Sequence, residues 1–367
     1  MSARANVRHP RREGPVLITG GAGFIGTNLA TRLLEEGHRV VLYDNLSRPG
    51  VEANARWLHQ RFGERARIDV ADVRDTARVR AAVSDASQIF HFAAQVAVTS
   101  SLLDPRDDFE TNLGGTLNVL EAMRGLDAPP TLVFTSTNKV YGALDDIALD
   151  IAGERYQPRD ATLRERGVGE SRSLDFHSPY GCSKGGADQY VLDYARSFGL
   201  PAALFRMSCI YGPHQCGNED QGWVAHFLRR ALRREAITIY GDGRQVRDIL
   251  FVQDLVDAFV RCQAQMHELA GRAFNMGGGP ANALSLREVL AVIAALVGRA
   301  PRTEYGPWRV GDQRYYVSDT HAFRLATGWA PVVDAREGIA RLHDWMIESG
   351  VPTRAPATTA NTRTHAA

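Results

Sequence analysis

From Pro15 to about residue 207, short β-branched runs alternate with segments of helical length, and that alternation leaves few folds open. Val16 to Thr19, Arg39 to Tyr43, Arg67 to Val70, Gln88 to Phe92, Thr131 to Thr135 and Ala202 to Arg206 read as strands, each separated from the next by a helix-length segment. Strands connected in this way lie parallel, with helices on both faces of the sheet. The expected class is therefore α/β, a Rossmann-type doubly wound parallel sheet. Ligands of such sheets gather at the carboxyl edge. Charge, Gly and Pro break the rhythm over 143–177, and again around 212–222 and 277–284, so these stretches are expected as loops or as a smaller lobe over that edge.

Composition excludes several partners. Lys plus Arg total 43 against 42 for Asp plus Glu, so no basic excess favours nucleic acid or an anionic membrane surface. No run is long and apolar enough to cross a bilayer. Cys182, Cys209, Cys216 and Cys262 have no metal-ligand spacing and are too few to staple 367 residues, which fits a reducing cytoplasm and no bound metal.

The segment Thr19-Gly20-Gly21-Ala22-Gly23-Phe24-Ile25-Gly26 ends one expected strand and opens one expected helix. In that context Gly20 and Gly23 permit a tight turn close to a pyrophosphate, and Gly26 lets the helix approach and aim its amino end at the anion. Asp44, at the end of the next strand, suits the adenosine ribose hydroxyls and repels a 2′-phosphate, so NAD is expected rather than NADP. Arg48 nearby pulls the other way. Asp72 and Val73, after the third strand, are placed to flank an adenine, although a capping role for Asp72 fits equally.

Only two of the 43 basic residues are lysines, Lys139 and Lys184. In a chain that uses arginine almost everywhere, a lysine marks a place that needs a compact ammonium. Lys184 belongs to Ser178-Pro179-Tyr180-Gly181-Cys182-Ser183-Lys184, where Ser178 and Pro179 suit a helix start. Tyr180 and Lys184 then share a helix face. A neighbouring ammonium and a cationic nicotinamide both favour the phenolate, so the pair is expected to remove a proton from an alcohol, with Thr137 donating to the same oxygen.

These strings, with Thr137-Asn138-Lys139-Val140-Tyr141-Gly142, resemble the extended short-chain dehydrogenase/reductase family of NAD-dependent nucleotide-sugar epimerases and dehydratases, over about residues 15–346. Ser136 to Gly142, Leu174 to Lys184, Asp220-Gln221-Gly222-Trp223-Val224 and Asp312-Gln313-Arg314 are similar to its CDP-paratose 2-epimerase branch. The resemblance implies Thr137, Tyr180 and Lys184 as the catalytic trio. It implies cofactor contacts at Gly20, Gly23, Phe24, Ile25, Gly26, Asp44, Asn45, Ser47, Arg48, Asp72, Val73, Ala93, Gln95, Asn112, Tyr180 and Lys184. Substrate contacts would fall on Ser101, Asn138, Lys139, Cys209, Trp223, Arg247 and Arg314. The implied reaction oxidises one carbinol of a nucleotide sugar to a ketone and re-reduces the opposite face, inverting C2 of a CDP-hexose. A UDP-sugar 4-epimerase shares the same catalytic set, and a non-catalytic NAD-binding protein shares the fold.

Two departures matter. Asn138-Lys139 stands where related dehydratases carry an Asp-Glu pair, which disfavours elimination. Cys209 stands where many relatives carry a phosphate-touching Asn. The expected organisation is a disordered arm at 1–14, a mainly NAD-binding domain at 15–207 with the 143–177 insertion, a mainly nucleotide-sugar-binding lobe at 208–346 with segments returning to the sheet, and a disordered tail at 347–367. Apolar positions on several faces of the helices around Asn112 to Arg124 and Tyr180 to Phe198 imply a homodimer.

Overall fold

The computed structural model describes residues 12–309 and 311–350. Most of the expected arm and tail therefore lies outside the described residues. Arg12 donates to the carbonyls of Ala128 (2.9 Å) and Ser84. The expectation of a tail from 347 is corrected, because the last helix, Ala335–Glu348, runs into it. That helix persists because Ile339, Leu342 and Met346 recur at helical spacing and are buried.

Seven parallel strands form the central sheet: β1 (Val16–Thr19), β2 (Val40–Asp44), β3 (Ala66–Val70), β4 (Gln88–His91), β5 (Thr131–Thr137), β6 (Ala202–Met207) and β7 (Ala273–Met276). Their order is β7-β6-β5-β4-β1-β2-β3. The chain thus doubles back beside β1, where a doubly wound sheet opens a crevice. Every residue of β1 is buried, as in strands covered on both faces. One face packs under the Phe24–Glu35 and Val252–Ala264 helices, around Phe90, Phe205 and Phe259. The other packs under Thr76–Asp85, Gly115–Arg124 and Ser178–Ser197, around Ile89, Phe134 and Val191. The sequence pattern did not disclose β7, a four-residue strand beyond a long excursion.

Segments before and after β7 build a second layer over the carboxyl edge. Cys209–Tyr211, Val246–Phe251, Ala283–Ser285 and Tyr315–Tyr316 form a four-stranded sheet. Helices Trp223–Arg233, Leu286–Val297 and Ala335–Glu348 bury a separate apolar cluster against it. The Leu286–Val297 helix is framed by a capping box, Ser285 with Glu288, and by Gly298 at φ +71°. Within the 143–177 insertion, a hairpin pairs Leu149–Ala152 with Arg155–Pro158, and Val140, Tyr141 and Val168 pack on Tyr316. Among the described residues no helix is long and apolar enough to cross a membrane.

His91, at the end of β4, is fully buried between the hydroxyls of Thr19 (2.6 Å) and Thr116 (3.1 Å). Burial, with Lys184 nearby, pushes its imidazole down to about 3. The unfolded chain takes up this proton below pH ~6.5, whereas the folded protein does so only near 3. The stability from a neutral His91 is thus complete above pH ~6.5 and is lost as pH falls from there towards 3. Equilibrium unfolding from pH 7 to 4 is expected to show a steeper loss in the native protein than in His91→Gln, and parallel curves would remove His91 from the account.

Candidate active site

A cleft of about 1000 Å³ runs along the carboxyl edge of the sheet, floored by the strand ends and roofed by the second layer. At one end lies the Gly20–Gly26 turn. Gly20 has φ +68°, and a Cβ there would fall 2.8 Å from the Ala93 nitrogen, so the turn lies against the chain leaving β4. Gly26 serves a related purpose: a Cβ would meet the Gly20 carbonyl oxygen at 2.5 Å and the Gly21 Cα at 2.7 Å, so the helix can press against the turn itself. Gly21 is equally constrained by the Ile18 carbonyl and Leu42. Gly20, Gly23, Phe24, Ile25 and Gly26 all line the cleft.

Strand β2 ends one residue later than the sequence pattern implied, which makes Asp44 its last residue. The Asp44 carboxylate accepts from the backbone N–H groups of Ala22 (3.0 Å) and Leu46 (2.9 Å), tying the strand end to the glycine turn. Burial raises its carboxyl above the usual range, and these bonds oppose the rise. Beyond it, the Asn45 amide donates to Asp72 (2.9 Å), and Asn45 Oδ1 accepts from Ser47 N–H (3.1 Å). Arg74 also grips Asp72 (2.8 Å) and holds its carboxyl well below the ordinary range. Val73 is buried against Gly115. Arg48, exposed at the cleft rim, donates to Gln221 across the opening.

Midway along the cleft, β5 and the Ser178–Ser197 helix bring the trio together. The Ser178 hydroxyl accepts the Gly181 N–H (3.2 Å), the capping contact its position implied. Thr137 closes β5 and accepts the Lys139 N–H (3.3 Å). Tyr180 and Lys184 are both buried, and both line the cleft with Thr137. Lys184 Nζ donates to the Thr135 carbonyl (2.6 Å) and sits 4.3 Å from the centroid of the Phe134 ring. Burial pushes the Tyr180 phenol up to about 12, and Thr137 opposes the rise only partly. The ammonium is committed to β5, so formation of the phenolate calls for further positive charge in the cleft.

Lys139 and Arg247 line the same cleft. Lys139 Nζ donates to the Gly311 carbonyl (3.2 Å), while Arg247 takes the Asp312 carboxylate (2.7 Å). Burial, then Arg247, lowers the Lys139 ammonium to about 8. Asn138 donates to Gln313 (3.2 Å), and Gln313 donates to the Gly142 carbonyl (2.7 Å). The 311–313 segment therefore clamps the catalytic turn. Cys209 Sγ accepts the Trp223 indole N–H (3.3 Å), and burial raises its thiol.

Some expected contacts are elsewhere. Arg314 is exposed over the Trp308 and Tyr156 rings (5.5 and 5.8 Å) and does not line the cleft. Ser101 is buried beneath the catalytic helix, accepting the Tyr180 N–H (3.2 Å) and donating to the Val98 carbonyl (2.7 Å). Asn112 is likewise buried, with its amide spent on protein partners: it accepts from Gln95 N–H (2.9 Å) and donates to Asp108 (3.1 Å) and Ser183 (3.0 Å). Arg309, which the sequence did not single out, does line the cleft. It stacks on Tyr240 (3.8 Å), pairs with Asp220 (3.3 Å) and donates to the Glu219 carbonyl (2.9 Å). With 41 arginines in the chain, only the fold distinguishes it.

Lys139→Arg keeps the charge but exchanges a compact donor for a planar fork. Turnover is expected to fall about 10- to 100-fold with the melting temperature unchanged. Unchanged kinetics would assign Lys139 to the scaffold.

The model of the NAD dependent epimerase/dehydratase family matches residues 16–277. Over 336 residues the chain is 41% identical to a CDP-paratose 2-epimerase of Salmonella typhi, covering 90% of this chain and 98% of that protein. It is 33% identical to a UDP-glucose 4-epimerase of Mycolicibacterium smegmatis, covering 89% of this chain and 96% of that protein. Among solved structures it resembles the Thermus thermophilus UDP-glucose 4-epimerase complex with NAD, at 33% identity and TM-score 0.74, covering 91% of this chain and 99% of that one. The Thermotoga maritima UDP-glucose 4-epimerase with UDP-glucose gives 28% identity and TM-score 0.77 over the same shares.

Proposed function

We propose, for a chain that belongs to the NAD dependent epimerase/dehydratase family, that it inverts C2 of a CDP-linked hexose. The chain is an NAD-dependent nucleotide-sugar epimerase, and the identity of the nucleotide and of the carbon is the part proposed. One observation carries the reading: a single cleft holds the Gly20–Gly26 cradle, the buried Thr137, Tyr180 and Lys184, and the cationic side chains Lys139 and Arg247.

The donor set fits NAD. Gly20 leaves room where a Cβ would strike backbone, Gly23 opens the Phe24–Glu35 helix towards the cleft, and Asp44 ends β2 as the carboxylate a ribose diol requires. The chemistry that NAD supplies when bound is reversible hydride acceptance at a sugar carbon. The residues of the chain do the rest. Tyr180 takes the proton from the sugar hydroxyl and later returns it. Thr137 donates to the same oxygen, and Lys184 holds its charge beside the pair. Lys139 and Arg247 bind and orient the diphosphate sugar, because cations in a partly dry cleft attract phosphate oxygens strongly. The sugar ketone must turn within the cleft, which has a volume of about 1000 Å³.

The preference for C2 and CDP rests on the 41% identity to a CDP-paratose 2-epimerase. The similarity to UDP-glucose 4-epimerases supports the second reading. Incubation with CDP-, UDP-, GDP- and dTDP-sugars in deuterium oxide, followed by NMR of the products, separates them. The expected product is a CDP-sugar inverted at C2 with no deuterium at that carbon. Turnover confined to UDP-sugars would replace the proposal, and solvent deuterium at the inverted carbon would exclude the ketone route.

A homodimer belongs to the same proposal. Leu103, Phe109, Tyr190 and Phe198 are exposed along the Val98–Leu103, Pro105–Phe109 and Ser178–Ser197 helices and the residue that follows the last. That apolar face suits a second copy of the chain.

A further inference from the structure

Behind the catalytic helix lies a carboxylate that the mechanism above does not use. Asp108, in the Pro105–Phe109 helix, is fully buried. The Ser183 hydroxyl donates to its Oδ2, and the Asn112 amide donates to its Oδ1 (3.1 Å). The orientation of that amide is not arbitrary, because Asn112 Oδ1 already accepts the Gln95 backbone N–H (2.9 Å), leaving the NH₂ group to face Asp108. The five-residue π-helical turn Glu110–Gly114 carries Asn112. Both partners of Asp108 are thus donors, which favour its ionised form and oppose the rise that burial imposes on its carboxyl. Ser183 sits on the catalytic helix between Tyr180 and Lys184.

The charges around this centre can be paired off. Asp188, one turn beyond Lys184, is gripped by Arg206 through two bonds (2.9 and 3.0 Å). Asp107, next to Asp108, is taken by Arg74 (2.8 Å). His91 is neutral, and Tyr180 is protonated. That leaves Lys184 and Asp108, both buried, with Ser183 donating to Asp108 from the position next to Lys184 in the helix.

We propose that Asp108 is the buried counter-charge of Lys184 and, through Ser183, a positioning residue for the Tyr180–Lys184 pair. The proposal rests on the reading of those two residues as the acid–base pair. Burial lowers the Lys184 ammonium to about 7 even with Asp188 and Asp108 opposing that fall. With Asp188 held in an ion pair by Arg206, Asp108 is the carboxylate of the two that has no ion pair among the described residues, and it supports the Lys184 charge against burial.

The two-lysine composition gives a direct test. Full-length protein grown with lysine carrying carbon-13 at the ε position shows two side-chain resonances, from Lys139 and Lys184, and Lys139→Arg identifies which is which. In NAD-saturated protein, Asp108→Asn is expected to move the Lys184 titration down by about one pH unit, the size expected for removing one charge several ångströms away at intermediate dielectric. Ser183→Ala keeps the charge and removes only the link, so it should leave the titration in place while lowering kcat. Asp108→Ser, with room for a water against Ser183 and Asn112, replaces Asp108→Asn if the amide packs poorly. An unshifted Lys184 in a folded neutral variant overturns the proposal, as does an equal shift in Ser183→Ala. The titration needs no sugar, so a wrong substrate assignment leaves its outcome readable.

Discussion

Tyr180→Phe is expected to lower kcat by about 10³-fold or more while the protein stays folded and binds NAD. The phenylalanine ring fills the same buried space, so packing is kept and only the hydroxyl is lost. That hydroxyl is the group beside Thr137 able to carry a proton to and from a sugar oxygen, and such transfers contribute 10²- to 10⁴-fold. Burial holds the phenol up at about 12, so it enters the reaction as a proton reservoir that gives way only when the cleft becomes more positive. The measurement is turnover beside NAD stoichiometry, from absorbance or mass spectrometry of the purified variant. Retention of most of kcat would remove Tyr180 from the mechanism. Loss of both NAD and fold would make the variant uninformative about chemistry and direct the test to Thr137→Val.

The largest expected effect on stability lies one turn beyond Lys184. Asp188 is inaccessible and Arg206 is 5% exposed in its side chain, and they form a two-bond ion pair between the catalytic helix and β6. Arg206 also donates to the Tyr141 hydroxyl (3.1 Å), which donates in turn to Asn275 on β7 (2.7 Å). One charge pair therefore joins the helix of Tyr180 and Lys184 to the turn after Thr137 and to the edge of the sheet. Asp188→Asn leaves a guanidinium buried without its anion, which is expected to cost about 3–5 kcal/mol. Urea unfolding of the variant measures it. Asp188→Asn combined with Arg206→Met should recover much of the loss, since the unpaired charge is then gone. A single-variant loss below about 1 kcal/mol would mean that water or a neighbour already compensates Arg206.

By itself, the sequence determined the features written in local pattern. Alternating apolar runs specify parallel strands, and the glycines of Thr19 to Gly26 mark a turn where side chains would strike backbone. Tyr180 and Lys184 share a face because four residues make about one helical turn. Strand β7 escaped because four residues carry too little periodicity to be told from a loop. Only the tertiary structure decided what depends on distant partners. It placed Arg309 in the cleft and Arg314 outside it, although nothing local distinguishes two arginines five positions apart. It turned Asn112 and Ser101 into supports beneath the catalytic helix, and it set Asp108 against Ser183. Proximity along a helix is written in the sequence, but desolvation depends on everything packed around the Tyr180 phenol, and here burial pushes it up.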